Sequence, residues 1–368
     1  MIRVLSAPFV QTSYRTDTAL LPTRAAKLRA AITAVVLLVV PLVFSDAWVG
    51  IAVFAAIAAI GAAGLNLLTG LAGLVSIGHG FFIGIGAYTA AVLGGDSTMS
   101  SGAVALGLPW PVWLVGAGLV AAAVGAAVGP LALRFRGLYL AVVTLALVYI
   151  GAHVFSSVTP LTGGSLGRFV PSPQIGSLTL SSGQFLNVGW ISLGSEQRWY
   201  YFVLVIALPL LLAARNVTNS RTGRALRAVR GRDLAAAVIG VNVTRYKVSV
   251  FALSSLYAGV AGALFASYVG SIRAETFGLD LSIQYLAMVI IGGLGSPMGA
   301  VLGAIFVTAL PQVARDLIPG GVAGFNVYEV SVIAYGVILA VFLIAYPEGL
   351  AGMWAKIKLY WRNWPFRS

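Results

Sequence analysis

The sequence predicts an all-α polytopic membrane bundle: about ten transmembrane or half-spanning helices, broken or re-entrant at Gly-rich segments, with both termini cytoplasmic. Three observations carry this. First, of 368 residues 59% are hydrophobic and only 9% charged, with a mean hydropathy of +0.96. A soluble domain carries about 25% charged residues, so these polar side chains cannot cover a globular surface, and a soluble enzyme or a disordered chain is excluded. Second, the apolar residues come in long runs. Third, the basic residues that set the net charge of +13 cluster between those runs, with no Lys or Arg between Arg29 and Arg134. On a soluble protein such a charge would suggest nucleic acid. Clustered between apolar runs, it reads instead as loops on the cytoplasmic face, beside anionic membrane lipid, and implies no nucleic-acid partner.

Residues 1–27 are polar and basic and read as a cytoplasmic tail. The apolar run that follows has no clear small-residue cleavage site, so it reads as a retained span rather than a signal peptide. Residues 28–346 form the transmembrane domain, and 347–368 a cytoplasmic C-terminal tail. Within the domain, apolar segments lie at about 28–45, 48–68, 80–94, 112–133, 137–158, 199–214, 247–268, 282–294, 297–311 and 328–346. A full crossing needs roughly 20 residues. Segments 80–94, 282–294 and 297–311 fall short and adjoin Gly-rich stretches, as expected of broken helices inside protein.

Charge sets the orientation. With the tail inside, Asp46 and Asp96 fall outside, Arg134 and Arg136 inside, the 159–198 loop outside and the 215–247 loop inside. Lys356, Lys358, Arg362 and Arg367 must also be inside. That requires 282–311 to be a hairpin whose Gly292–Gly299 turn points inward. Gly80/Gly84, Gly125/Gly129 and Gly299/Gly303 are GxxxG pairs, and Ala258/Gly262 is a small-xxx-small pair; such spacing lets helix backbones approach closely.

Gly64–Gly95 holds glycines at 70, 73, 78, 80, 84 and 86, a density that argues against a regular helix. Asn66, Thr69, Ser76 and His79 can satisfy freed backbone there. Irregular backbone at membrane depth is tolerated only when buried in protein or lining a cavity, so these four residues are candidates for the translocation pathway; a packed kink is the alternative. Ile291–Gly303, IGGLGSPMGAVLG, superficially resembles a phosphate loop but lacks the strand and the GxxxxGK[ST] pattern. It reads as a turn between half-helices.

The 215–247 loop carries eight basic residues and one acid, Asp233. Asn219 or Ser220 can N-cap a helix ending at Gly231, and Asp233 can cap a second one ending at Gly240. The second is small and apolar, with Ala235, Ala236 and Ala237, and suits insertion into a groove on a cytoplasmic partner. A loop lying on anionic headgroups is the alternative. The 159–198 loop is long for a passive connection. Trp190 reads as an interface anchor, and docking of an external partner is one reading of this loop. His79 and His153, the two histidines, lie in different segments, so no metal site is expected; each reads as a structural hydrogen-bonder. No cofactor is implied. No ionisable residue sits mid-span, which weighs against a proton-coupled carrier, and no nucleophile–base arrangement is readable, which weighs against a membrane enzyme.

Five blocks, in order, carry a resemblance over roughly residues 48–350. GLNLLTGLAGLVSIGHGFFIGIGAYTAAVL, Arg136–Leu147 (RGLYLAVVTLAL), Leu161–Gly167 (LTGGSLG, with Leu166 where Asn is usual), Ser220–Tyr246 with Phe251–Leu264, and Ile291–Gly303 all resemble the LivM-type permease subunits of branched-chain amino acid ABC importers. The resemblance implies one half of a heterodimeric membrane domain in the bacterial inner membrane. Its implied partners are a LivH-type permease, two cytoplasmic ATP-binding subunits and an extracytoplasmic solute-binding protein. It places the ATPase-coupling element at Asp233–Gly240. Related permeases carry urea, amides or other small polar solutes, and an ion-coupled secondary transporter is the more distant alternative.

Overall fold

The computed structural model describes residues 24–95, 104–135, 137–175, 178–181, 186–188, 191–317 and 349–363, with isolated helical positions between 330 and 344. The expected span at 328–346 and Trp190 lie outside the described residues. Twelve helices matter here: α1 (Arg24–Val43), α2 (Asp46–Leu65), α3 (His79–Gly94), α4 (Trp110–Val128), α5 (Leu138–Ser157), α6 (Ser195–Asn219), α7 (Arg221–Gly231), α8 (Asp233–Val238), α9 (Val243–Val269), α10 (Leu279–Gly292), α11 (Pro297–Leu317) and α12 (Gly349–Asn363). Among the described residues six helical stretches are long and apolar enough to cross a membrane, and three more are apolar but shorter.

The core sits where α2 and α9 cross the bundle. The α2 stretch, Asp46–Leu71, is 78% buried, whereas α4 and α5 are each 33% buried. Small residues make the central packing possible. Gly86 of α3 lies against Gly259 of α9, Gly262 of α9 against the Ile83 backbone, and Gly125 of α4 against Ser255. A Cβ on any of these glycines would overlap its neighbour, so van der Waals contact between backbones replaces the hydrophobic drive that lipid cannot supply. This corrects one reading of the sequence. The glycines at 80, 84 and 86 do not break a helix; they lie inside regular α3, where neighbouring chains approach. The break falls earlier, at 70–78.

The hairpin expected at 282–311 is present, and both arms are longer than their apolar runs. A 3-10 turn, Ala274–Phe277, leads into α10. On the other arm α11 continues through Pro311 to Leu317. Gly292, Gly299 and Gly303 hold the two arms backbone to backbone. At its tip, Gly293–Ser296, the turn meets the basic helix α7, and Gly349 at the start of α12 packs on Gly293. The C-terminal tail of the sequence reading thus contains a 15-residue helix. At the opposite end of the bundle, residues 174–175 pair with 178–179 and 186–188 with 191–193, and β1 (Arg168–Phe169) pairs antiparallel with Ser271–Ile272.

Candidate functional site

The break between α2 and α3 is built from three pieces. A π-helical turn, Asn66–Leu71, ends the α2 stretch, residues 73–78 run non-helically, and α3 starts at His79. Wide π-turns and lost i→i−4 bonds free backbone groups, and each of these needs a partner at membrane depth. The four pathway candidates supply them. The Asn66 amide donates to the Ser296 carbonyl at 2.9 Å and accepts from the Gly295 N–H at 2.8 Å. Thr69 donates to the Leu74 carbonyl at 3.2 Å, and Ser76 accepts from the Gly78 N–H at 3.3 Å. His79 Nε2 donates to the Gly61 carbonyl at 3.0 Å, its ring 5.2 Å from that of Tyr285.

All four side chains are buried. Within this chain they hold the break in place. Two further residues, which the sequence reading missed, do the same. Thr144 of α5 accepts from the Ile77 N–H at 3.0 Å, and Ser282 of α10 accepts from the Gly80 N–H at 2.9 Å. Nothing local marks them, because each serves backbone more than 60 residues away.

At the basic end, the expected N-cap at Ser220 is present, its hydroxyl accepting from the Gly223 N–H. Arg224 and Arg227 donate to the Asn219 and Thr218 carbonyls at the end of α6, where a helix leaves acceptors unpaired and its dipole favours cations. Arg230 donates to the Gly70 carbonyl at the end of the π-turn and lies beside Gly73 and Gly295. The basic helix therefore touches both broken elements directly.

Asp233 corrects the sequence reading. The N-cap of α8 is Arg232, and no side chain caps it. Asp233 is the first helical residue, and its carboxylate pairs with Lys247 of α9 at 2.7 Å. Lys247 is buried, so the pair ties α8 to the root of the central helix. The stop at Gly240 is as expected. Gly240 has φ +88°, its N–H donates to the Ala237 carbonyl, and the Val241 N–H donates to that of Ala236. That is a Schellman turn, which needs the left-handed residue glycine supplies. Of the three alanines, Ala236 is buried within the chain, while Ala235 and Ala237 are exposed. The apolar surface of this element comes from Leu234, Val238 and Ile239, which are 75%, 86% and 73% exposed.

At the opposite end, Arg168 is buried and donates to the Leu161 and Val104 carbonyls at 2.8 and 2.6 Å. Burial pushes its guanidinium below the usual value. Beside it lies an open cleft of about 320 Å³ lined by Ala152, His153, Ser156, Ser165, Arg273, Ala274 and Glu275. His153, expected from the sequence to be a structural hydrogen-bonder, is exposed on this cleft. Among the described residues no group of three or more His, Cys, Asp or Glu could hold a metal ion.

An apolar bundle with a helix broken at its centre, a helical hairpin packed against that break and a basic platform bonded to the break and touching the hairpin fits a polytopic membrane permease. Residues 47–346 match the family described as branched-chain amino acid transport system / permease component. The high-affinity branched-chain amino acid transport system permease proteins LivM of Salmonella typhimurium and Escherichia coli are each 33% identical over 324 residues, covering 85% of this chain and 72% of the relative. The probable branched-chain amino acid transport permease protein LivM of Methanocaldococcus jannaschii is 27% identical over 195 residues, 52% of this chain and 53% of that one. No solved structure gives a significant match. The chain belongs to this permease family: it is a multi-pass protein of the bacterial inner membrane that forms part of a translocation pathway.

Proposed function

We propose that the chain is the LivM-type half of an importer for branched-chain amino acids, paired with a LivH-type permease and fed by an extracytoplasmic solute-binding protein. ATP is hydrolysed by two separate cytoplasmic subunits, since the chain carries no GxxxxGK[ST] sequence. In this reading the bundle has ten spans. The end carrying α7, the Gly293–Ser296 turn and α12 faces the cytoplasm, because that places the basic clusters inside. A cysteine at Ser296 should then resist an impermeant maleimide applied to intact cells; ready external labelling would overturn the orientation.

One observation carries the coupling role. Helix α8 exposes Leu234, Val238 and Ile239 on a basic platform that is itself bonded to the broken helices through Arg230 and to α9 through Lys247. Exposed apolar side chains beside arginines fit a groove on a cytoplasmic ATPase, and the bonds behind them would carry its movement to the break. The test is the double variant Val238→Glu, Ile239→Glu. Membrane abundance should stay normal, while copurification of the ATPase and ATP-driven leucine uptake in vesicles are lost. Retention of both would assign the platform to the lipid surface instead.

A further inference from the structure

Helices α4 and α5 are alike in length and burial, 19 and 20 residues and 33% buried each, yet their exposed faces differ. That of α4 is purely apolar: Val112, Val115, Leu119 and Val120. That of α5 includes the apolar Leu138, Ile150 and Val154, but also a stripe, Tyr139, Val142, Ala146, Tyr149, His153 and Ser156, at alternating spacings of three and four. The α4 face suits lipid. A Tyr or His facing hydrocarbon would leave a polar atom without a partner, at a cost of several kcal/mol, so the α5 stripe faces protein or water. The stripe runs into the cleft at the end opposite the basic platform, where His153 and Ser156 meet Ser165, Arg273 and Glu275. Arg273 and Glu275 are both exposed, and among the described residues neither has an ion-pair partner. Opposite charges two residues apart, in a lining otherwise of Ala, Ser and His153, match the two ends of a zwitterion. A volume of about 320 Å³ lies at the small end of the range for small-molecule sites, about 300–1,000 Å³.

We propose that this cleft is an entry site for a zwitterionic α-amino acid, with the carboxylate on Arg273, the ammonium on Glu275 and the α5 stripe leading away from it. The assignment rests on the amino-acid importer reading above. Ser165 offers a hydroxyl to either end of the ligand, Ser156, whose hydroxyl donates to the His153 carbonyl, can accept from the ammonium, and Ala152 and Ala274 leave room for an apolar side chain.

The chain has no cysteine, so Ser156→Cys places one thiol in this subunit at the cleft. The assembled importer, in detergent and without its solute-binding protein, would be labelled at this thiol with a maleimide. L-leucine should slow labelling. Isoamylamine, which lacks the carboxylate, and isocaproate, which lacks the ammonium, should not. Adding Arg273→Gln or Glu275→Gln should raise the protecting leucine concentration by about tenfold, the loss expected for one charge-assisted hydrogen bond. Equal protection by all three compounds, or protection unchanged by both variants, would overturn the site. So would labelling blocked only by the solute-binding protein, which would make the cleft a docking surface. Leucine uptake by the otherwise unaltered importer is measured in parallel. Uptake without protection overturns the site alone, whereas an importer that takes up no amino acid overturns the importer reading and the zwitterion together.

Discussion

The break between α2 and α3 and the helix α8 invert the usual rule in opposite directions. At the break, Asn66, Thr69, Ser76 and His79 put polar groups inside. At α8, Leu234, Val238 and Ile239 put apolar groups outside. The first inversion is closed: every one of those polar groups bonds backbone within the same chain. The second is open, since nothing in the described chain covers those side chains. The contrast teaches that an unexpected residue type is not itself a signal of function. Whether its partner lies within the same chain decides between a support and a surface.

Charge within α8 gives the largest expected effect and the sharpest test of that contrast. Ala236 and Val238 are two residues apart, one buried and one 86% exposed. Ala236→Glu buries an unpaired carboxylate at a cost on the order of several kcal/mol. It should detach α8 from α7 and α9, read as new trypsin cleavage at Arg232. Val238→Glu should leave that site as protected as in the parent chain. Equal cleavage in both variants would mean that α8 has no fixed face.

Next comes the tie behind α8. Lys247→Met leaves Asp233 without its buried partner, and removing one member of such a pair costs about 3–5 kcal/mol. The expected result is a marked fall in the thermal midpoint of the detergent-solubilised protein. Exchanging the two charges, Asp233→Lys with Lys247→Asp, should recover part of the loss; no recovery would show that the pair contributes through packing alone.

The smallest effect is expected at the break. Asn66→Ala orphans the Gly295 N–H and the Ser296 carbonyl, which are half-buried, at about 1–3 kcal/mol. Protease or hydrogen-exchange protection of residues 293–296 should drop while the helices stay intact. Lost uptake with unchanged protection there would place Asn66 on the pathway instead.

Legibility followed the range of the interaction. The Ser220 cap and the Gly240 stop were readable because their partners lie within four residues. The break at 70–78 was readable from glycine density, but its extent was not. The same residue type permits an irregular backbone at Gly73 and a close helix contact at Gly86, and only the neighbour at Gly259 tells the two apart. Asp233 fits the common pattern of a short capping acid before an apolar helix, yet Lys247, fourteen residues on, claims its carboxylate instead. Thr144, Ser282 and Arg230 were missed for a related reason, since each bonds backbone far away in sequence.

By itself the sequence determined the class of molecule, the apolar segments and the hairpin. Hydropathy and clustered charge are set against the bilayer, which acts on the chain segment by segment. The five blocks of motif determined the family. Tertiary structure alone decided which of the polar residues in those blocks are satisfied within the chain and which apolar ones remain uncovered. Those outcomes depend on which backbone groups meet across the bundle, and that is set by the packing of α2, α3, α9 and α10 together rather than by any one of them.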